Sequence, residues 1–277
     1  MQARPASVGA IHRGAARSQV LRSARRGRRE GVPGAVWRPG GGGHGVGPMN
    51  VSVVIPVING ERFVARAIES VFRQRDDDPG LRLQIIVVDN GSTDGTVDCV
   101  HRDFGDSVTL VHEPRPGAGC ARNAGVAMAD SPWIAFLDAD DLWLPGKLRE
   151  QGRYLAARPE MAMVFCHGVE FSDPPGVFPF DGSTKEYLHA AGMLARRAAL
   201  DAAGPFPETR CGEFIAWFGW TQTLGLKSNV LPGLFVKRRI HAHNSTRDGR
   251  GRAEYAQAMK WLLDRRRGHA AEGVPRP

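Results

Sequence analysis

Three clusters of polar residues have the types and spacing for chemistry on a charged ligand. The first is Phe136-Leu137-Asp138-Ala139-Asp140-Asp141. Two carboxylates two residues apart, just past an apolar run, can turn oxygens onto one hard cation. Mg²⁺ and Mn²⁺ take oxygen ligands, usually one or two protein carboxylates completed by substrate phosphates. Such a cation would neutralise a diphosphate leaving group. A solvated acidic turn has the same spacing. The second cluster is Val87-Val88-Asp89-Asn90-Gly91-Ser92-Thr93-Asp94-Gly95-Thr96. Asp89 and Asn90 can hydrogen-bond a base or ribose edge, and Ser92, Thr93 or Asp94 can cap a following helix. A strand-to-helix turn rich in caps has this composition too. The third is Gly117-Ala118-Gly119-Cys120-Ala121-Arg122-Asn123-Ala124-Gly125. Small residues let backbone approach a ligand closely, and Arg122 could reach a phosphate. It lacks the GK[ST] ending of a Walker loop and is not GxGxxG after a first strand, which argues against a dinucleotide.

The elements around these clusters must place them on one edge. Val51 to Val57 is an apolar, β-branched run bounded by Pro56 and Gly60 and predicts a buried parallel strand. Val64, Ile68, Val71 and Phe72 recur at helical spacing over 61–74. A turn at 76–80 leads to a second strand, Ile85 to Val88, ending at Asp89. A helix over 93–103, a third strand Val108 to Val111, a breaker loop at 114–119 and a helix over 121–129 follow. The fourth strand, Trp133 to Leu137, ends at Asp138. This alternation with short connections predicts an α/β fold with an open, mostly parallel sheet covered on both faces. Such sheets bind ligands at the carboxyl ends of their strands, where Asp89 and Asp138 both fall. Beyond 145 the pattern is looser: a helix over 146–157, strands at Met163–Cys166, Gly192–Ala195 and Leu234–Ile240, a Pro/Gly-rich loop over 172–185, and helices over 197–203, 213–224 and 252–267.

Composition narrows the partners. The net charge is +8 over 277 residues, but residues 1–48 hold nine Arg and a single acid, Glu30, and account for all of it. The remainder is neutral, so nothing points to a nucleic-acid groove. Cys99, Cys120, Cys166 and Cys211 are widely spaced with no CxxC pair, which fits reduced thiols in the cytoplasm and neither a zinc site nor a disulfide framework. No run approaches the roughly 20 apolar residues of a membrane span. Residues 37–48 are too rich in Gly to pack, and Met49 directly precedes the first strand. Residues 1–48 are therefore expected to be a disordered extension or an upstream mis-start.

In this order, and with VSVVIPVING at 51–60, the three clusters resemble the family 2 glycosyltransferases of GT-A fold over roughly residues 50–246. VVDNGSTDGT matches the family's nucleotide-binding turn, GAGCARNAG its GxxxARNxG stretch and FLDADD its DxD, with Trp143 and Pro145 following. GMLARRAALDAAGPF at 192–206 resembles its acceptor-side strand and helix, and RRIHAHNST at 238–246 its HxxN(S/T) segment. The resemblance implies a GT-A domain over 49–250, with a nucleotide-binding half at 49–145, a smaller acceptor half at 146–250, and a helix and tail at 251–277. It implies donor contacts from Pro56, Asn59, Asp89, Asn90, Ser92, Arg122, Asp138 and Ala139. It implies Mn²⁺ or Mg²⁺ held by Asp138, Asp140 and His241, with His243 and Asn244 as neighbours. The activity implied is metal-dependent, inverting transfer of a sugar from a nucleotide-diphosphate donor to a peptide, lipid or glycan acceptor.

Two departures stand out. The nucleotide turn has Asp89-Asn90 where the family often has two acids, which puts the usual uridine preference in doubt. The family's Glu-Asp pair opening a helix is here Gly212-Glu213-Phe214, leaving Glu213 as the expected general base; the same acid could simply complement a helix dipole. The Phe at 214 keeps open a sugar-nucleotide-binding module that has lost catalysis, and a nucleotidyltransferase releasing pyrophosphate is a third option. Trp217 and Trp220, three apart on one helix, suit either sugar stacking or core packing. Arg265-Arg266-Arg267 suits a peripheral contact with an anionic membrane or a solvated helix end.

Overall fold

A computed structural model describes residues 48–242, 244 and 252–271. The expected N-terminal extension, apart from Pro48, and His243 lie outside the described residues. The N-terminal part runs β1 (Asn50–Val57), α1 (Val64–Phe72), β2 (Arg82–Asp89), α2 (Thr96–Phe104), β3 (Thr109–His112), α3 (Ala118–Met128) and β4 (Trp133–Phe136). Then follow β5 (Leu142–Trp143), α4 (Lys147–Ala156), β6 (Met163–Ser172), β7 (Lys185–Tyr187), β8 (Leu194–Arg196), α5 (Arg197–Ala203), α6 (Glu213–Thr223), β9 (Ser228–Ile240) and α7 (Arg252–Ala271). Among the described residues these strands make one sheet in the order β3-β2-β1-β4-β8-β6-β9-β5, with β7 on β6.

The first four strands are parallel, as the β-branched runs predict. β1 is central among them, with Val51, Val53, Val54 and Ile55 fully buried, each contributing roughly 1.5–3 kcal/mol through its burial. α1 presents Val64, Ala67, Ile68 and Val71 to this core at helical spacing. α3 lies so close on β1 that a Cβ at Gly125 would meet Val54 Cγ1 at 2.3 Å. That proximity brings the first turns of α3 over the carboxyl ends of β1 and β2.

The C-terminal part joins the same sheet with mixed directions. β8 is antiparallel to β4 and β6, whereas β9 runs parallel to β6. Both β6 and β9 exceed the sequence expectation, and β5 and β7 were not anticipated. β5 is two residues long, but its antiparallel pairing of Leu142 with Lys237 and Trp143 with Val236 has a large effect. It clamps the chain just after Asp141 to β9, and so carries the residues beyond Ile240 back to Asp140. No described helix is long and apolar enough to cross a membrane.

α6 and α7 carry the aromatic and basic stretches. Trp217 and Trp220 are buried and donate Nε1–H to the carbonyls of Gly204 and Ala203, so they pack α6 onto the end of α5. Arg265 donates to the Ala203 carbonyl, and Arg266 to the Gly219 carbonyl and Thr223 Oγ1. Arg265 therefore caps the end of α5 and Arg266 is bonded along α6, both within the protein.

Candidate active site

β2 and β4 flank β1, so Asp89 and Asp138 leave the sheet on the same edge, about 10 Å apart by strand spacing. The loop after β1 lies between them. Asn59 takes a left-handed φ of 51°, which Asn tolerates better than most residues. Its N–H donates to Ser92 Oγ (2.9 Å), and its Oδ1 accepts from Thr93 N–H (2.8 Å). Gly60 N–H donates to Thr96 Oγ1 (2.8 Å) and Glu61 N–H to Asp94 Oδ2 (3.1 Å). On the loop's other side, a Cβ at Gly60 would lie 3.8 Å from Ala139. One loop thus touches both acidic turns, and Pro56 precedes it in β1, paired with Val88.

Asp89 is 4% exposed; its Oδ1 accepts the Ser92 N–H (3.0 Å) and its Oδ2 faces His112 Nδ1 (3.2 Å). Burial alone would raise its carboxyl pKa, but these hydrogen bonds hold it below the ordinary aspartate value. His112, at the end of β3, is exposed beside it and carries no sequence signature. Asn90 is spent differently from the expectation of a ligand contact. Its Nδ2 donates to the Glu113 and Arg115 carbonyls (2.8 and 2.7 Å), and its Oδ1 accepts from Gly117 N–H (2.7 Å). It shapes the loop that leads into α3.

Gly117, Gly119, Arg122, Asn123 and Gly125 of this stretch all have intramolecular roles. Gly117, at φ 133°, and Gly119 admit the backbone of 207–210: a Cβ at Gly119 would sit 1.9 Å from the Pro207 carbonyl oxygen, and Gly119 N–H donates to Thr209 O. Asn123 clamps Phe206 from both sides, Nδ2 to its carbonyl and Oδ1 from its N–H, each 2.9 Å. The glycines read as room for a ligand are occupied by the protein's own acceptor-side loop. That loop ends at Glu213, the first residue of α6.

Arg122 then ties the halves together. It is 3% exposed, and its guanidinium bonds both Asp138 Oδ1 (2.6 Å) and Glu213 Oε1. Burial works against the charged Asp138, but Arg122 and the neighbouring His189 outweigh it and lower its pKa. Burial dominates at Glu213 and raises its carboxyl pKa despite Arg122. Asp138 Oδ2 is 3.4 Å from His189 Nδ1. Burial lowers the His189 pKa, with Asp138 opposing and Arg122 adding to it.

Asp140 has other partners. Its Oδ2 is 3.0 Å from His241 Nε2 and 3.2 Å from the Asn244 side-chain amide, and its carbonyl accepts from Arg239 Nε. Asp141 is buried beneath, bonded by Arg239 N–H (2.9 Å) and Tyr187 hydroxyl (3.2 Å). Burial and the like charges of Asp140 and Asp138 push its pKa well up. Asp140 offers a hard oxygen suited to Mn²⁺ or Mg²⁺, with the His241 imidazole beside it. Among the described residues no three His, Cys, Asp or Glu side chains are grouped to hold a metal by themselves. A set left incomplete in this way fits a cation whose shell substrate phosphates complete. Two surface hollows, one lined by Pro48, Arg75 and Leu81 and one by Asn123, Leu200 and Phe206, include none of these carboxylates.

The family described as glycosyl transferase family 2 matches residues 52–185. A glycosyltransferase of Rickettsia typhi, RT0329, is 30% identical over 228 residues, covering 76% of this chain and 70% of that protein. The chain spans only 18–31% of the length of three other curated relatives, all glycosyltransferases of bacteria. Among solved structures, S. aureus TarS 1–349 in complex with UDP-GlcNAc aligns at TM-score 0.64 and 18% identity, over 78% of this chain and 66% of that one. The mannosyltransferase PcManGT of Pyrobaculum calidifontis, in complex with GDP-Man and Mn²⁺, aligns at TM-score 0.56 and 20% identity, over 94% and 72%. At these identities the likeness is one of fold, a GT-A-like open sheet flanked by helices.

Proposed function

The chain belongs to glycosyl transferase family 2, and from that premise we propose that it moves a sugar from a nucleoside-diphosphate donor to an acceptor hydroxyl with a divalent cation at Asp140. The observation that carries this is the single β1 loop laced to the Asp89 turn on one side and packed beside Ala139 on the other. A donor bridging the two turns would meet Asp89 with its nucleoside and Asp140 with its phosphates.

In this reading Asp89 accepts a hydrogen from the base or ribose, and Pro56, Asn59, Ser92 and Ala139 line the floor beneath it. Asn90 acts through the loop it holds. Asp138 stays with the ribose, because its two oxygens already face Arg122 and His189. Asp140 and His241 would hold Mn²⁺ or Mg²⁺, and the cation would supply positive charge to the departing diphosphate. Arg122 keeps the donor-side Asp138 and the acceptor-side Glu213 at a fixed spacing, which serves orientation. The acceptor oxygen attacks C1 opposite the diphosphate, so the anomeric configuration inverts. TarS is solved with UDP-GlcNAc and PcManGT with GDP-Man, and both donors have the diphosphate this site would bind. Peptide, lipid and glycan hydroxyls all suit as acceptors. Buried free Cys99, Cys120 and Cys166 fit a reducing compartment, and the cytoplasm is the proposed location.

The test is release of nucleoside diphosphate from a panel of UDP-, GDP- and TDP-sugars with Mn²⁺ or Mg²⁺. Asp140→Ala should lower metal-dependent release by at least about 100-fold. Unchanged release at saturating metal removes the metal assignment. Pyrophosphate as the product overturns sugar transfer altogether.

A further inference from the structure

Transfer to a hydroxyl needs a group to take its proton, and geometry decides first which group can. Glu213 is poorly placed: its side chain is 8% exposed and its Oε1 is bound to Arg122. Phe214 beside it is 2% exposed and packs among Phe165, Trp217 and Phe218. Tyr187 is buried with its hydroxyl on Asp141. His189 differs from all three. It follows β7 in extended backbone, φ −135° and ψ 162°, with its ring held between Tyr187 (5.4 Å between centroids) and Phe214 (5.8 Å). Its side chain is 40% exposed, although Nδ1 is buried and has no hydrogen-bond partner among the described residues.

Resting on the transfer reading above, we propose that His189 Nε2 is the atom that accepts the proton of the attacking hydroxyl, with Asp138 orienting the ring. Nδ1 lies 3.4 Å from Asp138 Oδ2, a loose contact that can shorten when substrate binds. An acceptor carboxylate on that side favours the tautomer with hydrogen on Nδ1, which leaves the Nε2 lone pair for the substrate. Nε2 has no hydrogen bond to the described residues. In the step itself, the acceptor oxygen forms its bond to C1 as the bond from C1 to the diphosphate oxygen breaks. The electron pair leaves with the diphosphate, and the hydroxyl proton passes to Nε2. The imidazolium then stands against the Asp138 carboxylate until it returns the proton to solvent. The arrangement also accounts for an apolar residue at 214: Phe214 is a wall for the His189 ring, so no carboxylate is required there.

The experiment uses the full chain with water as acceptor and UDP-GlcNAc and GDP-mannose as donors. Donor binding is followed by calorimetry, and turnover by release of UDP or GDP. His189→Ala should lower turnover by about 10²–10⁴-fold, the range of general base catalysis, with donor Kd within threefold of the parent. Added imidazole should restore part of the lost rate to His189→Ala, whereas Glu213→Gln should gain nothing from it. Turnover of His189→Ala within threefold of the parent overturns the proposal. So does a Kd that weakens in step with turnover, because His189 would then serve donor binding. A parent chain that binds donor but releases no nucleoside diphosphate also overturns it, and a parent that binds neither donor refutes the transfer reading instead.

Discussion

Replacing Arg122 with Met probes the join between the two halves of the site. Arg122 is 3% exposed and serves Asp138, whose side chain is 23% exposed, and Glu213, at 8%. Met keeps most of the apolar volume but strands two carboxylates. Removing one partner of a buried pair costs about 3–5 kcal/mol, and water can reach Asp138, so the lower end applies, about 3 kcal/mol at pH 7. For a folded body of this size, 1 kcal/mol moves the melting temperature about 2–4 °C, giving a drop of about 6–12 °C. The sign with pH follows from the stranded acids. In the parent, the lowered Asp138 pKa contributes stability above its ordinary value of 3.8, and this is lost as pH falls through the lower folded value. In the variant, Glu213 keeps its burial and loses its cation, so its pKa, already above 4.5, rises further. A carboxyl with a raised folded pKa destabilises increasingly as pH climbs past its unfolded value. The variant's deficit should therefore be larger at pH 7 than at pH 5, and Glu213→Gln added to Arg122→Met should recover part of it. Thermal melts by circular dichroism, with urea midpoints at constant m, measure both effects. A drop under 2 °C at pH 7 refutes the reasoning. A deficit equal at the two pH values would mean that lost packing, not stranded charge, carries the cost.

Two further outcomes follow from the core and the motif. Lys147 is fully buried, bonded to Gln151 Oε1 (2.9 Å) and the Met193 carbonyl, and burial lowers its pKa from 10.5 to about 8. The unfolded chain binds more protons than the folded one between those values, so parent stability gains up to roughly 3 kcal/mol from pH 8 to 10.5. The stability of Lys147→Met relative to the parent should fall across that window in urea titrations, and a pH-independent difference would falsify the buried-amine account. Gly119→Ala drives a methyl into the Pro207 carbonyl, backbone against backbone, and should cost about 1–3 kcal/mol while loosening 207–210. Trypsin should then cut faster after the exposed Arg210, and an unchanged melt with unchanged cleavage counts against the docking role of this glycine.

The N-terminal half of the sheet was legible because its information is local. β1 and β2 are each encoded by a β-branched run and β4 by an apolar one, and short connections set their order, so Asp89 and Asp138 could be placed on one edge from sequence. β6 and β9 were underestimated because each is a strand by virtue of the other, Met163 pairing with Ser228 and Ser172 with Ile240, far apart in the chain. β5 and β7 are too short for any periodicity, yet β5 is what returns His241 to Asp140. The motif at 117–125 shows a deeper limit. Glycines that admit a phosphate and glycines that admit a neighbouring backbone are the same residues for the same steric reason, so composition cannot tell them apart. What separates them is Pro207, 88 positions beyond Gly119, and the bond Arg122 makes to Glu213. His189 is hidden for the same cause: Tyr187-Leu188-His189-Ala190 has no signature, and only the fold of β7 beside Asp138 gives its ring a partner and an opening. In this chain the carboxylates are written in the motifs, but the proposed proton acceptor depends on contacts that only the assembled sheet creates.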